Sequence, residues 1–582
     1  MHESTYRLAI VIRVLIALFT RTFFQPDEYF QSLEPAHNLV FGYGHLTWEW
    51  TVLRPIRSFI YPAINVPVYW LLKVSGLVEA RLVGDYFLIL CPKVLHGSLA
   101  ACTDIYIGDI ARRTLGSDYE TTARFVSLTS FFHAMALSRS LSNSLETSLS
   151  TIAFAYYPWD ANAKLNFEYI RIRSNLRKMI LFSAFACMIR PTNAVIWVFL
   201  FLNLFWAIRK HRRIAIAIAE DAAIIGTIAL MTLFISDFLY YGTPTFTPYN
   251  FLKTNLSSVS LFYGGNPWHF YLTQALPIIG TTTLPFTTHG IWSTFSSTTS
   301  RDYSAKTMFR AITWTILIYS FAGHKEWRFI HPILPLLHVF AAKSLVDLST
   351  DTRMSRKKKT THWKSFIYRQ FKLPNIHKRY IAFLLLTLPL SLYVMLFYCS
   401  GPIEVMHYIR QLPRHDLNQT TIGFLVPCHS TPGQSHLHRR DLAGERMWQL
   451  GCEPPLQHQN LATYKDQTDV FFDNPKEYLL TYFPSQVDPS FPLSPFPSSI
   501  PGQPASLPYF SQRFNKSIYP WKHEWPQYLI LFGDLLQQDG VQVLLEGQGY
   551  GEVWKAGREW EGEGKRKGAV RVWKWASPPQ TN

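Results

Sequence analysis

The chain has 582 residues, with 56 Lys and Arg against 39 Asp and Glu, a net charge of +17. Only 16% of residues are charged and 15% are aromatic, which excludes a disordered chain, and six Cys exclude a disulfide-built mini-protein. The basic excess falls in short clusters between apolar runs, so it signals membrane orientation rather than a nucleic-acid surface.

Apolar stretches recur at 8–19, 59–78, 86–107, 178–208, 214–239, 308–322, 329–346 and 380–399, with weaker ones near 122–138, 147–158 and 269–291. At about 20 apolar residues per crossing they predict a polytopic α-helical membrane protein with roughly ten to thirteen transmembrane helices. Several stretches carry polar groups, as helices lining a polar cavity do. Arg13 splits the first apolar run and no small-residue cleavage site follows it, so that run is expected to be a retained anchor.

Orientation comes from the basic loops. Lys210, Arg212 and Arg213 form one cluster, and Arg353, Arg356, Lys357, Lys358, Lys359, Lys364, Arg369, Lys372, Lys378 and Arg379 a second. The positive-inside rule places both in the cytosol, which puts loop 323–328 and the tail 400–582 on the opposite, lumenal side, and a cytosolic N-terminus with Arg7 puts loop 20–58 there too. The expected organisation is a membrane module over 1–399 and a small lumenal α+β domain over 400–582. Asn255, Asn418 and Asn515 head glycosylation sequons that fit this topology. Cys428 and Cys452 are the two cysteines of the tail, and an oxidising lumen would let them pair; two buried thiols are the alternative. Within the tail, Gln537–Leu545 and Lys565–Trp575 read as strands.

Four constellations carry possible chemistry. In Gln25-Pro26-Asp27-Glu28, Pro26 fixes φ and Asp27 is a natural N-cap, so a helix is expected to open here; Asp27 and Glu28 then point in different directions and do not form a symmetric pair. In the same loop Glu49 sits between Trp48 and Trp50, ahead of Arg54 and Arg57. Two Arg on the lumenal side run against the positive-inside bias, which favours an anionic partner over headgroup snorkelling. His324, Lys325, Glu326 and Arg328 crowd a third short loop, where a phosphate site explains the packing better than lipid anchoring. Arg139, Asn143 and Glu146 are spaced for one helix face and, with Arg190, place ionisable groups at membrane depth. There is no Walker loop, GxGxxG, HExxH or CxxC pair, and no metal or other cofactor is expected.

These residues occur in order as Gln25-Pro-Asp-Glu-x-Phe-Gln31, Thr47-Trp-Glu-Trp50 with Arg57-Ser58 and Tyr61-Pro62, Arg139-x-x-x-Asn-Ser-Leu-Glu146, Arg190-Pro-Thr-Asn193 and His324-Lys-Glu-Trp-Arg-Phe329. Together, over roughly residues 8–475, they resemble the endoplasmic-reticulum α-mannosyltransferases that use dolichyl-phosphate mannose and have the GT-C fold. Within that family Phe424-Leu-Val-Pro-Cys-His-Ser-Thr-Pro432, followed by Cys452, is similar to the enzymes that add the third mannose in GPI-anchor synthesis. Where family members often have His before Pro-Asp-Glu, this chain has Gln25. The resemblance implies inverting α-1,2 transfer of mannose from dolichyl-phosphate mannose to a GPI glycolipid precursor. It implies Asp27 as base with Glu28 as substitute, His324, Lys325, Arg328 and Arg57 on the donor phosphate, and Glu49, Trp48, Arg139, Asn143, Glu146 and Arg190 on the substrates. A sibling enzyme acting on the lipid-linked N-glycan precursor shares these motifs. A transporter of lipid-linked sugars is a further alternative, and would leave Asp27 dispensable.

Overall fold

In this computed structural model the described residues are 2–79, 84–160, 169–296, 302–354, 376–413, 420–456, 460–494 and 523–576. Most of the basic cluster 353–379 falls outside them, as do Asn418 and Asn515.

Helices dominate up to residue 411. Among the described residues, four stretches are long and apolar enough to cross a bilayer: Tyr86–Thr114, Arg212–Tyr241, Trp327–Thr350 and Lys378–Gln411. The other apolar runs are shorter or polar-interrupted, as their sequences suggest. Trp327–Thr350 is mostly buried inside the molecule, whereas Arg212–Tyr241 is mostly exposed.

Arg13, which interrupts the first apolar run, is the centre of a buried junction. Its guanidinium donates to both oxygens of Asp104 (2.6 and 2.9 Å) and to the carbonyls of Ser127 and His133 (2.9 and 3.0 Å). Both charges are fully buried, so the pair is tolerable only because each partner neutralises the other. The helix His2–Phe19 can approach Gly84–Thr114 this closely because position 97 is Gly; a Cβ there would meet the Val14 Cα at 2.8 Å. Gly290 does the same where Leu284–Ser296 crosses Leu334–Met354, with a Cβ falling 2.1 Å from the Phe340 carbonyl oxygen.

From Gly401 onward a five-stranded sheet appears: β1 Ile422–Phe424, β2 Met447–Gln449, β3 Tyr528–Phe532, β4 Tyr550–Ala556 and β5 Val570–Trp575, in the order β2-β1-β3-β5-β4. β1 is parallel to β2 and β3, while β5 is antiparallel to β3 and β4. The run Tyr-Leu-Ile-Leu-Phe of β3 is apolar on both faces because both are covered. Tyr528, Ile530 and Phe532 pack with Val405, Met406 and Ile409 of the helix Gly401–Gln411; Leu529 and Leu531 pack with Phe471, Tyr478, Val541 and Leu545 on the other side. The expected α+β character is therefore seen.

The expected strand at Gln537–Leu545 is not. That segment enters the helix Val541–Gly547 from Gly540 at φ +75°, and its buried residues are Val541 and Leu545. Their spacing of four, rather than two, is the helical period. Of Lys565–Trp575 only Val570–Trp575 is strand; Gly564–Arg566 is a 3₁₀ turn.

Candidate active site

The loop after the first helix is held in place by backbone pairing. Arg21 and Phe23 donate their N–H groups to the carbonyls of Met395 and Cys399 (2.9 and 3.0 Å), at the end of the helix Leu388–Leu396. The chain then turns at Pro26 and enters helix at Asp27, which runs into a π-helical turn at Tyr29–Leu33 and the helix Glu34–Phe41. Asp27 thus opens a helix as expected, but its carboxylate does not cap it.

Instead Asp27 Oδ2 accepts from Arg328 Nη1 at 2.6 Å, and Oδ1 has no partner among the described residues. The side chain stays 19% exposed. Glu28 is different. It is buried, its Oε2 takes Arg139 Nη1 at 3.1 Å, and its carbonyl accepts from Ser140 Oγ. Arg139 is consumed in the same knot, donating to Thr22 O, Thr22 Oγ1 and Met135 O. One of the two adjacent carboxylates is therefore available to a ligand and the other is built into the scaffold.

Arg328 is held on a second side by Glu326, through Nε at 2.5 Å and Nη2 at 2.9 Å. His324 brackets the same carboxylate, with Nε2 3.2 Å from Glu326 Oε1 and Nδ1 2.9 Å from the Gly264 carbonyl. The bond to Glu326 raises the His324 pKa. Burial alone would push the Glu326 carboxyl up, but Arg328 and His324 pull it well below the usual carboxylate range. Lys325 points away from this chain of charges; its ammonium donates to the Asn266 carbonyl at 2.7 Å, and Asn266 Nδ2 returns a bond to the Lys325 carbonyl.

Near Arg328, Arg57 donates through Nε and Nη2 to Glu49 Oε1 (3.0 and 2.7 Å), while Gln31 Nε2 donates to Glu49 Oε2 at 3.2 Å. Asp27 and Arg328 lie within electrostatic reach of Arg57. Trp48 and Trp50 are buried on either side of Glu49, and the Trp50 indole donates to the Phe30 carbonyl at 2.9 Å. Ser58 Oγ and the Phe59 N–H donate to the buried Asp237 (2.8 and 2.9 Å), and the Tyr241 hydroxyl donates to the Arg57 carbonyl. The far end of the helix Arg212–Tyr241 thereby fixes the Arg57 turn.

The structure corrects the expected helix face of the fourth constellation. Arg139, Asn143 and Glu146 do not share a helix face, because the helix starts only at Ser142, after a π-helical turn at His133–Leu137 and a non-helical break. Arg139 turns to Glu28, whereas Glu146 pairs with Arg190 (3.1 Å), takes Asn193 Nδ2 at 2.8 Å and has Asn143 beside it. Arg190 also reaches Ser142 Oγ and lies over the Phe329 ring. Arg57, Arg190, Gln31, Ser142 and Tyr61 line one small cleft together with Leu233, Pro248 and Phe251. Gln31 and Asn193 carry no signal of their own in the sequence beyond their places inside the quoted motifs, and Glu326, part of the third constellation, proves to be the residue that holds Arg328 and His324.

Cys428 and Cys452 are joined as a disulfide, with Cα atoms 5.9 Å apart. The one group of close metal-type ligand atoms found among the described residues is this pair with His429, and both sulfurs are committed to the bond. Asn255 is exposed at the end of the helix Thr247–Leu256.

The Alg9-like mannosyltransferase family model matches residues 4–438 of this chain, a span that holds Asp27, Glu49, Arg57, Arg190 and Arg328. The chain belongs to that family. Among its relatives, the GPI mannosyltransferase 3 of Yarrowia lipolytica is 34% identical over 83% of this chain and 84% of that protein. The GPI α-1,2-mannosyltransferase 3 of Mus musculus is 33% identical over 83% and 80%, and that of Homo sapiens 33% over 82% and 77%. Among solved structures, ArnT from Cupriavidus metallidurans bound to undecaprenyl phosphate covers 98% of this chain and 97% of its own, at TM-score 0.53 and 10% identity. The fold is that of a GT-C membrane glycosyltransferase, and the protein is a mannosyltransferase.

Proposed function

We propose that this mannosyltransferase adds an α-1,2-linked mannose, the third, to a GPI glycolipid precursor, using dolichyl-phosphate mannose at the lumenal face of the endoplasmic reticulum membrane. The relatives named for that activity, aligned over most of their length, support the acceptor. Lumenal placement is supported by the helix Arg212–Tyr241. Its 30 residues span about 45 Å, with Lys210, Arg212 and Arg213 at one end and the Arg57 turn docked at the other. The disulfide in the tail fits an oxidising compartment. The membrane module over 1–399 would then carry the chemistry and the sheet-bearing region over 400–582 would stand beside it in the lumen.

The observation that carries the mechanism is the asymmetry of the two carboxylates. Asp27, held at one oxygen and open at the other, takes the proton of the acceptor hydroxyl as that oxygen bonds to C1 of mannose and the C1–O bond to phosphate breaks. Dolichyl phosphate is already a good leaving group, so no general acid is needed and one carboxylate suffices. Its phosphate would lie at Arg57 and Arg190, the two cations that line one cleft with the apolar residues Leu233, Pro248 and Phe251. Arg57, with Arg328 and His324 behind it, faces the growing negative charge. Glu49 and Glu326 hold those cations in place until the phosphate arrives. Glu28 and Arg139 fix the loop.

The test of substrate is transfer of labelled mannose in membranes lacking the endogenous enzyme, with the dimannosyl GPI precursor and an N-glycan precursor offered side by side. Transfer to the GPI lipid alone is expected. Transfer to the N-glycan lipid would keep the chemistry and replace the acceptor, and transfer to neither would favour a transporter.

A further inference from the structure

Against the Asp27 loop, and sharing no lining residue with the Arg57–Arg190 cleft, lies a second cavity, a cleft of about 470 Å³ between the membrane helices and the sheet. That volume is within the range of small-ligand sites, about 300–1,000 Å³. One end is closed by Pro26 and Trp327, each one residue from a member of the Asp27–Arg328 pair. The other is formed by the β4–β5 connection, with Gly557, Glu563 and Arg566.

Its lining combines aromatic surface (Phe24, Trp327, Tyr398, Phe532) with polar groups of two kinds. Some are already engaged. Glu561 accepts from the Tyr393 hydroxyl and from Arg558, and Arg566 braces the Cys428–Ser430 loop by donating to Ser430 Oγ (2.9 Å) and the Cys428 carbonyl (3.2 Å). Three others have no hydrogen-bond partner among the described residues: the Gln25 amide, the Trp327 indole N–H and the Glu563 carboxylate. A partnered polar group holds the wall in shape, whereas an unpartnered one facing a cavity offers recognition to a ligand.

We infer that this cleft is the saccharide subsite of the acceptor, where the glycan behind the reacting hydroxyl stacks on Trp327 and gives hydrogen bonds to Gln25 and Glu563. The inference rests on the proposed glycan-lipid acceptor and adds where that glycan lies. Hydroxyl-bearing rings present both apolar C–H faces and donors, which is the mixture this wall can bind. With the donor phosphate on the Arg57 side and the acceptor on the Trp327 side, Asp27 lies between them. Nucleophile and leaving group then approach C1 from opposite faces, as inversion requires.

The test uses the full-length enzyme in detergent, with Glu563→Ala and Gln25→Ala. Glu563 is exposed on a turn, so its variant is expected to fold. For Glu563→Ala the acceptor KM should rise about tenfold, the scale of one lost hydrogen bond to a charged group, with kcat and donor KM unchanged. Independently of turnover, a soluble dimannoside should quench tryptophan fluorescence of the wild type saturably, and both variants should weaken that binding. Unchanged acceptor KM and unchanged dimannoside binding would overturn the subsite. A rise in donor KM instead would assign the cleft to the polyisoprenyl donor. If the wild type used a different glycan lipid, the dimannoside titration would still decide whether the cleft binds sugar.

Discussion

At the scale of single residues, two neighbours in sequence have been driven to different fates by what surrounds them. Asp27 meets Arg328 with one oxygen and keeps the other open; Glu28 is closed off by Arg139. Glu34 shows a third environment. It is fully buried, its Oε1 accepts the Ser435 N–H at 2.6 Å, and burial raises its pKa to about 7. A carboxyl whose folded pKa lies above the unfolded one keeps its proton in the native state after the unfolded chain has lost it. Stability therefore falls as pH rises from about 4.5 to about 7, at up to about 1.4 kcal/mol per unit. Glu34→Gln, which mimics the protonated form, is expected to melt above the wild type at pH 8 and to match it below pH 4.5, a difference that thermal scans in detergent will read. Equal melting points at pH 8 would mean that Glu34 ionises without cost.

At the scale of elements, the fold depends on close crossings that one side chain can undo. Gly97→Leu should drive the helix His2–Phe19 off Gly84–Thr114 and cost about 1–3 kcal/mol. Arg13→Met should cost more, about 3–5 kcal/mol, because it strands Asp104 in the bundle; chemical denaturation of the reconstituted protein can compare the two. The double change Arg13→Met with Asp104→Leu is expected to recover much of the loss. Sequence made much of this level legible. The run of short, polar-interrupted apolar stretches pointed to a cavity-lining bundle, and the loops of Asp27, Glu49, Arg57 and Arg328, expected on one side of the membrane, lie close together. The failures have local causes. Arg139 left the Glu146 face because the backbone at 138–141 abandons the helix, and such a break has no signature in i, i+4 spacing. Gln537–Leu545 resembles a strand by composition, yet its fully buried positions are 541 and 545, with Leu544 packed beside them, the spacing of a helix. The β3 run was passed over because strict alternation fails when both faces of a sheet are covered.

For the whole molecule, the sheet region works as a brace for the loop that carries Asp27. Glu34 and His37 grip Ser435 and His438, Phe30 packs against His429, and Arg566 ties β4–β5 to the Cys428–Ser430 turn. The disulfide closes this turn over a separation of 24 residues. Its removal in Cys428→Ser should cost about 3 kcal/mol by loop-closure entropy, seen as faster thermal inactivation with no change in acceptor choice. The measurement that tests the central claim most directly is the single-turnover rate of mannose transfer to the GPI precursor by Asp27→Asn and Glu28→Gln, under saturating donor and normalised to folded protein. The account predicts a loss of about 10²–10⁴-fold for Asp27→Asn, and for Glu28→Gln a lower melting point with the rate of the surviving enzyme within a few-fold of wild type. Full activity of Asp27→Asn, or a chemical step lost only in Glu28→Gln, would contradict it.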